Sequence, residues 1–309
     1  MGSNTFGHHL QFHSFGESHG EALGCVIEGC PAGLNFSPDF LQTELDRRRP
    51  GQAAWVSARN EADKAEILSG IYQNKTLGTP ICVIVRNQNQ KSSDYKEIEN
   101  QTVIRSGHAD DVWKNKFSHV DLRGGGRSSG RETIARVIAG AFAKMILQQL
   151  APQLNICAFA ENIGPLFLSE NDKQTIIKKI NESTANQYPV DSFVARFPFH
   201  DQPQVEELLL SAQNQGNSWG GKIHIHVSGM VAGLGQPVFH KLKSDISQAL
   251  MSVGAVAGVV LGDHDEKSFS LSGIDFHQTK QSQQYGGIRG GISTGEDLIF
   301  KVLVKPTSS

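Results

Sequence analysis

The segment Arg123-Gly124-Gly125-Gly126-Arg127-Ser128-Ser129 is the first place where this sequence offers chemistry. Three successive glycines let the backbone approach a ligand closely. A strongly periodic helix follows Ser129, and free N–H groups at a helix start favour an anion there. Arg127 and Arg131 add planar, fork-shaped donors that match phosphate or carboxylate. Ser128 and Ser129 add hydroxyls. The segment reads as a phosphate cradle, or more plainly as a loop whose serine caps a helix. No Gly-Lys-Ser/Thr follows, so it is not a Walker loop.

Two histidines sit beside glycines. His19 lies in Gly16-Glu17-Ser18-His19-Gly20, and His108 in Gly107-His108-Ala109-Asp110. Histidine gives and takes a proton near neutral pH, so each is a candidate acid. Each can also be a hydrogen-bonded turn residue. Asp110 either orients the His108 ring or caps a turn. Arg47-Arg48-Arg49-Pro50-Gly51 closes a helix, where cations suit the dipole or bind an anion. Lys305-Pro306-Thr307-Ser308-Ser309 follows a strand and brings an ammonium and three hydroxyls, again suited to phosphate.

These groups need a frame. Ile134, Val137, Ile138, Ala141, Phe142, Met145 and Ile146 form a buried helical stripe, with Ser129 and Glu132 at capping-box spacing. Pro38 opens another helix, with Phe40, Leu41 and Leu45 inward. Leu242 to Val253 predicts a third, with Gly254 as its stop. Residues 171–182 and 203–214 read as more polar helices. Strands are predicted at 22–28, 79–86, 222–227, 256–261 and 297–304. In the strand at 222–227 the alternation puts Ile223, Ile225 and Val227 on one face and His224 and His226 on the other, where they read as solvent-facing, with a metal-binding pair as the alternative. One internal echo stands out. Ala32-Gly33-Leu34, then Pro38 and Phe40, matches Ala232-Gly233-Leu234, then Pro237 and Phe239; each follows a strand and precedes a helix. This predicts duplicated units in an α+β core.

Composition narrows the class. The chain has 309 residues, net charge −2, 38% hydrophobic and 19% charged residues. That balance argues against a nucleic-acid binder, and no apolar run is long enough to span a membrane. The four cysteines form no C-x-x-C pair and no zinc spacing. Cys25, Cys82 and Cys157 lie in apolar runs and read as buried thiols. No leader is visible and the default placement is cytoplasmic; no metal site is expected.

Taken in order, these motifs resemble chorismate synthase. Gly16 to Gly20, Pro31 to Leu34, Arg47 to Gly51, Gly107 to Asp110, Arg123 to Thr133, Ala249 to Ser252, Gly286-Gly287 with Gly290 to Ser293, and Lys305 to Ser309 cover nearly the whole chain. The resemblance implies one domain over 1–309, a β-α-β sandwich with internal duplication, and a homotetramer. It implies phosphate elimination from 5-enolpyruvylshikimate 3-phosphate to chorismate, on the route to aromatic amino acids. Reduced FMN would be required without net redox change, and NADPH would be involved only indirectly, if at all. His19 would protonate the reduced flavin and His108 would assist the departing phosphate. Ser18, Arg48, Arg105, Ser129 and Arg131 would hold the substrate. Arg127, Ser128, Ser129, Gly254, Ala255, Gly290, Lys305, Pro306, Thr307, Ser308 and Ser309 would hold FMN. Against the family pattern, Ala54 stands for an arginine and Gly254 for an asparagine. Family members also continue past the position of Ser309, through an Arg-His-Asp-Pro motif. A flavin- or phosphate-binding homologue without catalysis, and a phosphate-handling transferase, are the competing readings.

Overall fold

The computed structural model describes residues 2–49, 51, 53, 55, 61–87, 107–121, 123–183, 187–262, 270–278 and 285–307. The chain folds into two compact units, 1–150 and 151–307. No described helix is long and apolar enough to cross a membrane.

The first unit contains β1 (Thr5–Phe6), β2 (Gln11–Phe15), β3 (Ala22–Glu28), α1 (Pro38–Arg48), β4 (Ala65–Ile67), β5 (Ile71–Tyr72), β6 (Lys75–Thr76), β7 (Ile81–Arg86), α2 (Asp110–Phe117) and α3 (Thr133–Leu150). An antiparallel sheet runs β1-β2-β3-β7-β4. Leu23, Cys25, Ile27, Ile81, Val83 and Val85 point from it into a core closed by α1 and α3. The stripe predicted on α3 is the buried one: Ile134, Ile138, Ala141, Phe142 and Met145. Phe142 stacks on Phe36 with ring centres 5.3 Å apart. Lys144 of α3 reaches Glu44 of α1 at 2.6 Å and ties the two helices. Cys25 is fully buried, and burial pushes its thiol up to about 12, so it acts as a core atom. Cys82 is only half-buried, short of the full burial its apolar run suggested.

The second unit contains β8 (Asn155–Ile163), β9 (Leu166–Phe167), α4 (Glu170–Glu182), α5 (Gln202–Asn214), β10 (Gly221–Ser228), α6 (Leu242–Met251), β11 (Val256–Leu261), α7 (Gly273–Gln278), β12 (Ile288–Arg289), β13 (Ile292–Ser293) and β14 (Leu298–Val304). Its sheet runs β11-β14-β10-β8-β9. One face packs on α6 through Ile225, Val227, Leu242, Ile246 and Phe300. The other packs Cys157 and Phe159 against Ile176, Ile180 and Val205 of α4 and α5. That second layer corrects the expectation for His224 and His226. Both are 3% exposed rather than solvent-facing, because β10 is a central strand covered on both sides. His224 stacks on Phe159 at 4.8 Å.

The predicted duplication is present, down to single hydrogen bonds. The four strands β2-β3-β7-β4 and β8-β10-β14-β11 keep the same order. Cys25 pairs with Val83 as Ile225 pairs with Phe300. Ser14 faces Cys25 as Ala158 faces Ile225. After β3, the Thr76 hydroxyl donates to the Pro31 carbonyl at 2.5 Å and accepts from the Leu34 amide at 3.0 Å. After β10, the Ser293 hydroxyl donates to the Val231 carbonyl at 2.7 Å and accepts from the Leu234 amide at 2.9 Å. Gly33 and Gly233 both have positive φ at this turn, which is why the echo keeps a glycine there.

Two local expectations are corrected. Ser129 accepts from the Arg131 amide and caps a short 3-10 turn, Gly130–Glu132, ahead of α3. Glu132 pairs with Arg136 at 3.0 Å instead of closing a capping box. The helix α6 ends at Met251 with Ser252 as cap, and the left-handed residue that follows is Ala255 rather than Gly254.

Candidate functional site

The first unit gathers most of the predicted chemistry around one turn. Gly20 donates its amide to the Glu17 carbonyl at 3.0 Å, closing a four-residue turn with Ser18 and His19 inside it. The Ser18 amide donates to the Gly126 carbonyl at 3.2 Å, so the turn is bound to the glycine triplet. Gly124, Gly125 and Gly126 all have positive φ. A Cβ built on Gly124 would overlap the His19 ring, so the ring seats on a bare Cα. The triplet therefore serves as a saddle for a histidine, a role its spacing alone did not reveal.

The arginines divide their work. Arg127 donates to the Gly16 carbonyl at 3.0 Å and to the Ser14 hydroxyl at 2.7 Å. It braces the glycine loop against the end of β2. The Ser128 hydroxyl donates to the Gly125 carbonyl at 2.7 Å, inside the loop itself. Arg131 is 5% exposed. Its Nη1 meets Asp63 at 2.9 Å, its Nη2 meets Glu61, and its Nε donates to Asn87 Oδ1 at 2.7 Å. Arg48 lies 3.7 Å from the same Asp63. Both arginines thus face carboxylates within the fold. Arg47 and Arg49 pair with Glu44 and Asp46 of their own helix.

Beside this turn, Arg123 grips Asp121 through Nε at 2.9 Å and Nη2 at 2.8 Å. Those hydrogen bonds hold the Asp121 carboxyl below its ordinary value against the opposing effect of burial, with a smaller contribution from His19. His108 is half-buried just ahead of α2, and Asp110 is buried in the first turn of that helix. A cavity of about 690 Å³ opens here, lined by Phe15, Asp110, Trp113, Asp121, Arg127 and Ser128 among others. Its size and its mix of aromatic walls and a few polar groups suit a small cofactor or substrate. Sequence reading missed Asn87, Glu61, Asp63 and Asp121. Only Asp121 carried a local signal, its spacing of two from Arg123.

In the second unit, Lys305 donates its amide to the Ala255 carbonyl at 2.9 Å, which brings two predicted FMN segments side by side. Lys305, Pro306 and Thr307 are exposed. A Cβ on Gly254 or on Gly290 would meet open space. Gly290 belongs to the β12–β13 hairpin, which precedes β14, whereas Lys305 follows that strand. Pro50, Ala54, Arg105, Ser308 and Ser309 lie outside the described residues.

The chain thus combines a duplicated antiparallel α+β frame with a histidine seated on a glycine triplet. The family model described as chorismate synthase matches residues 10–309. A chorismate synthase of Bdellovibrio bacteriovorus is 49% identical over the whole chain and is covered over 88% of its own length. Those of Azobacteroides pseudotrichonymphae and Lachnospira eligens are 44% and 41% identical, covered over 85% and 82% of their lengths. A crystal structure of chorismate synthase superposes with a TM-score of 0.76 at 28% identity, over 97% of this chain and 84% of that one. The chain belongs to the chorismate synthase family, and is a lyase.

Proposed function

We propose that the chain eliminates phosphate from 5-enolpyruvylshikimate 3-phosphate to give chorismate, with reduced FMN as cofactor. The observation that carries this reading is the seating of His19 on Gly124 within a chain that matches the family from residue 10 to residue 309. Reduced FMN would supply electron density to the substrate and emerge unchanged in oxidation state. The first unit offers a cavity of fitting size with Phe15 and Trp113 as aromatic walls, and Gly254 and Gly290 leave room for close approach in the second.

The chain's own residues do the rest. His19 holds a proton for the cofactor. His108 holds one for the oxygen of the departing phosphate. Ser18 and Ser129 contribute hydroxyls to the substrate. Lysine and arginine charge lowers the cost of the leaving dianion without a covalent bond. Arg105, Ser308 and Ser309 take their roles from the motif match alone. Arg131 and Arg48 support the site through Asp63. NADPH is relevant only as a source of reduced flavin. Homotetrameric assembly and cytoplasmic placement follow the family resemblance.

The test is an anaerobic assay with reduced FMN and the enolpyruvyl substrate, read by chorismate absorbance. Chorismate formation is the expected result. FMN binding without turnover would point to a non-catalytic homologue, and no FMN binding would overturn the reading.

A further inference from the structure

We propose that Asn87 is the positioning residue of the His19 turn, an inference that rests on His19 acting as an acid. Asn87 directly follows β7, opposite the residue that precedes β3. Its amide N–H donates to the Glu21 carbonyl at 3.0 Å, extending the ladder by one bond. That places a short side chain beneath the turn. Its Nδ2 donates to the Gly20 carbonyl at 2.7 Å and faces the Glu17 carbonyl at 3.3 Å. Glu17 and Gly20 are the two ends of the turn that carries Ser18 and His19. One amide group therefore clamps both ends.

The third contact fixes which way the amide points. Asn87 Oδ1 accepts from Arg131 Nε at 2.7 Å. A flipped amide would set N–H against a guanidinium and oxygen against two carbonyls, so the network admits one orientation. Arg131 is itself held by Glu61 and Asp63. Rigidity thus passes from two buried carboxylates, through a guanidinium and one amide, to the turn that carries the histidine. Aspartate could not replace Asn87, because it lacks both donors and would add a third carboxylate around Arg131. Asn87 touches no reacting atom in this scheme; it acts through the turn.

Asn87→Ala tests this. The His19 ring resonances, assigned by their loss in His19→Ala, are followed by NMR in the cofactor-free protein, alongside kcat, KM and FMN affinity in the complete assay. The expected result is a displaced His19 signal with an altered titration midpoint. kcat should fall on the order of 10 to 100-fold, because small misplacements of a catalytic group cost that much, while KM and FMN affinity change by less than about 3-fold. If Asn87→Ala does not fold, Asn87→Ser keeps one donor and should give an intermediate displacement. A folded variant with wild-type His19 resonances, or with kcat within about 2-fold of wild type, overturns the proposal. Should His19→Ala keep the full rate, the acid role fails instead, and the His19 signal still reports whether Asn87 holds the turn.

Discussion

The His19 ring rests where a side chain on Gly124 would be, so Gly124→Ala addresses the site through one methyl group. The backbone there has φ 56 and ψ 20, which glycine adopts freely and alanine does not. The left-handed conformation costs a non-glycine residue about 1–3 kcal/mol, and the methyl must also push the ring aside. We expect a lowered Tm and a rate loss exceeding what partial unfolding accounts for, measured per folded molecule. His19→Ala and His108→Ala should each lose on the order of 10²–10⁴ in kcat with FMN still bound, as for a general acid; near-normal rates would remove that residue from the chemistry. The glycine triplet and both histidines were legible because each departs from the composition of an ordinary turn. Asn87 was not. A lone asparagine after a strand has no spacing signature, and its partners lie 44 residues downstream and 67 residues upstream. The arginines were visible as charge, but the buried partners of Arg48 and Arg131, Glu61 and Asp63, were not, because they lie in separate stretches of chain.

At the scale of elements, the period-two and period-3.6 patterns placed the strands and helices they predicted within two or three residues of those observed, but missed β2 and β8, which lie inside the two sheets. The Ala-Gly-Leu echo gave the duplication. It was legible because the turn geometry needs a glycine at positive φ in both copies. The hydroxyl that fastens each turn comes from a hairpin 42 or 59 residues away, beyond local reading. Thr76→Val should cost about 1–3 kcal/mol, the penalty for a buried amide left without its acceptor, and Ser293→Ala less, because the Leu234 amide is only part-buried, both measured by chemical denaturation. The alternation along β10 was read correctly, but the layer covering its histidine face was not, since α4 comes from a separate stretch of chain. That layer makes a pH prediction. Burial raises the Glu161 carboxyl, yet the hydrogen bond from His224 and the charges of Lys301, Lys173 and Lys222 outweigh it and take it from 4.5 to about 2. Its contribution is therefore complete above 4.5 and is lost as pH falls toward 2. Burial also lowers His226 below 6.5, partly opposed by Asp297. The unfolded chain then binds the extra proton first, so this contribution is complete above 6.5 and declines below it. Denaturation midpoints should fall between pH 7.5 and 5.5, and His226→Gln should flatten that decline.

Across the whole molecule, one frame is used twice and carries the histidine-bearing turn once. The turn after β2 holds Ser18 and His19. The stretch after the matching part of β8 runs Glu161-Asn162-Ile163 and holds no histidine. Its polar side chains serve the sheet instead: Glu161 sits 3.4–3.7 Å from Lys173, Lys222 and Lys301. Each unit also has its own hydrophobic centre, Phe142 on Phe36 in the first and Phe159 beneath α4 and α5 in the second. Phe142→Ala and Phe159→Ala each empty an aromatic-sized space in a packed core, at a cost of about 3–5 kcal/mol. Cores built from separate residues open with separate free energies. Hydrogen exchange should therefore quicken chiefly in β3 and β7 for Phe142→Ala, and chiefly in β10 and β14 for Phe159→Ala. Of the two, only Phe142→Ala should move the His19 resonances, because α3 carries Phe142 and begins just after the 3-10 turn that presents Arg131 to Asn87. Equal loss of protection in both sheets from either substitution would instead show a single cooperative core.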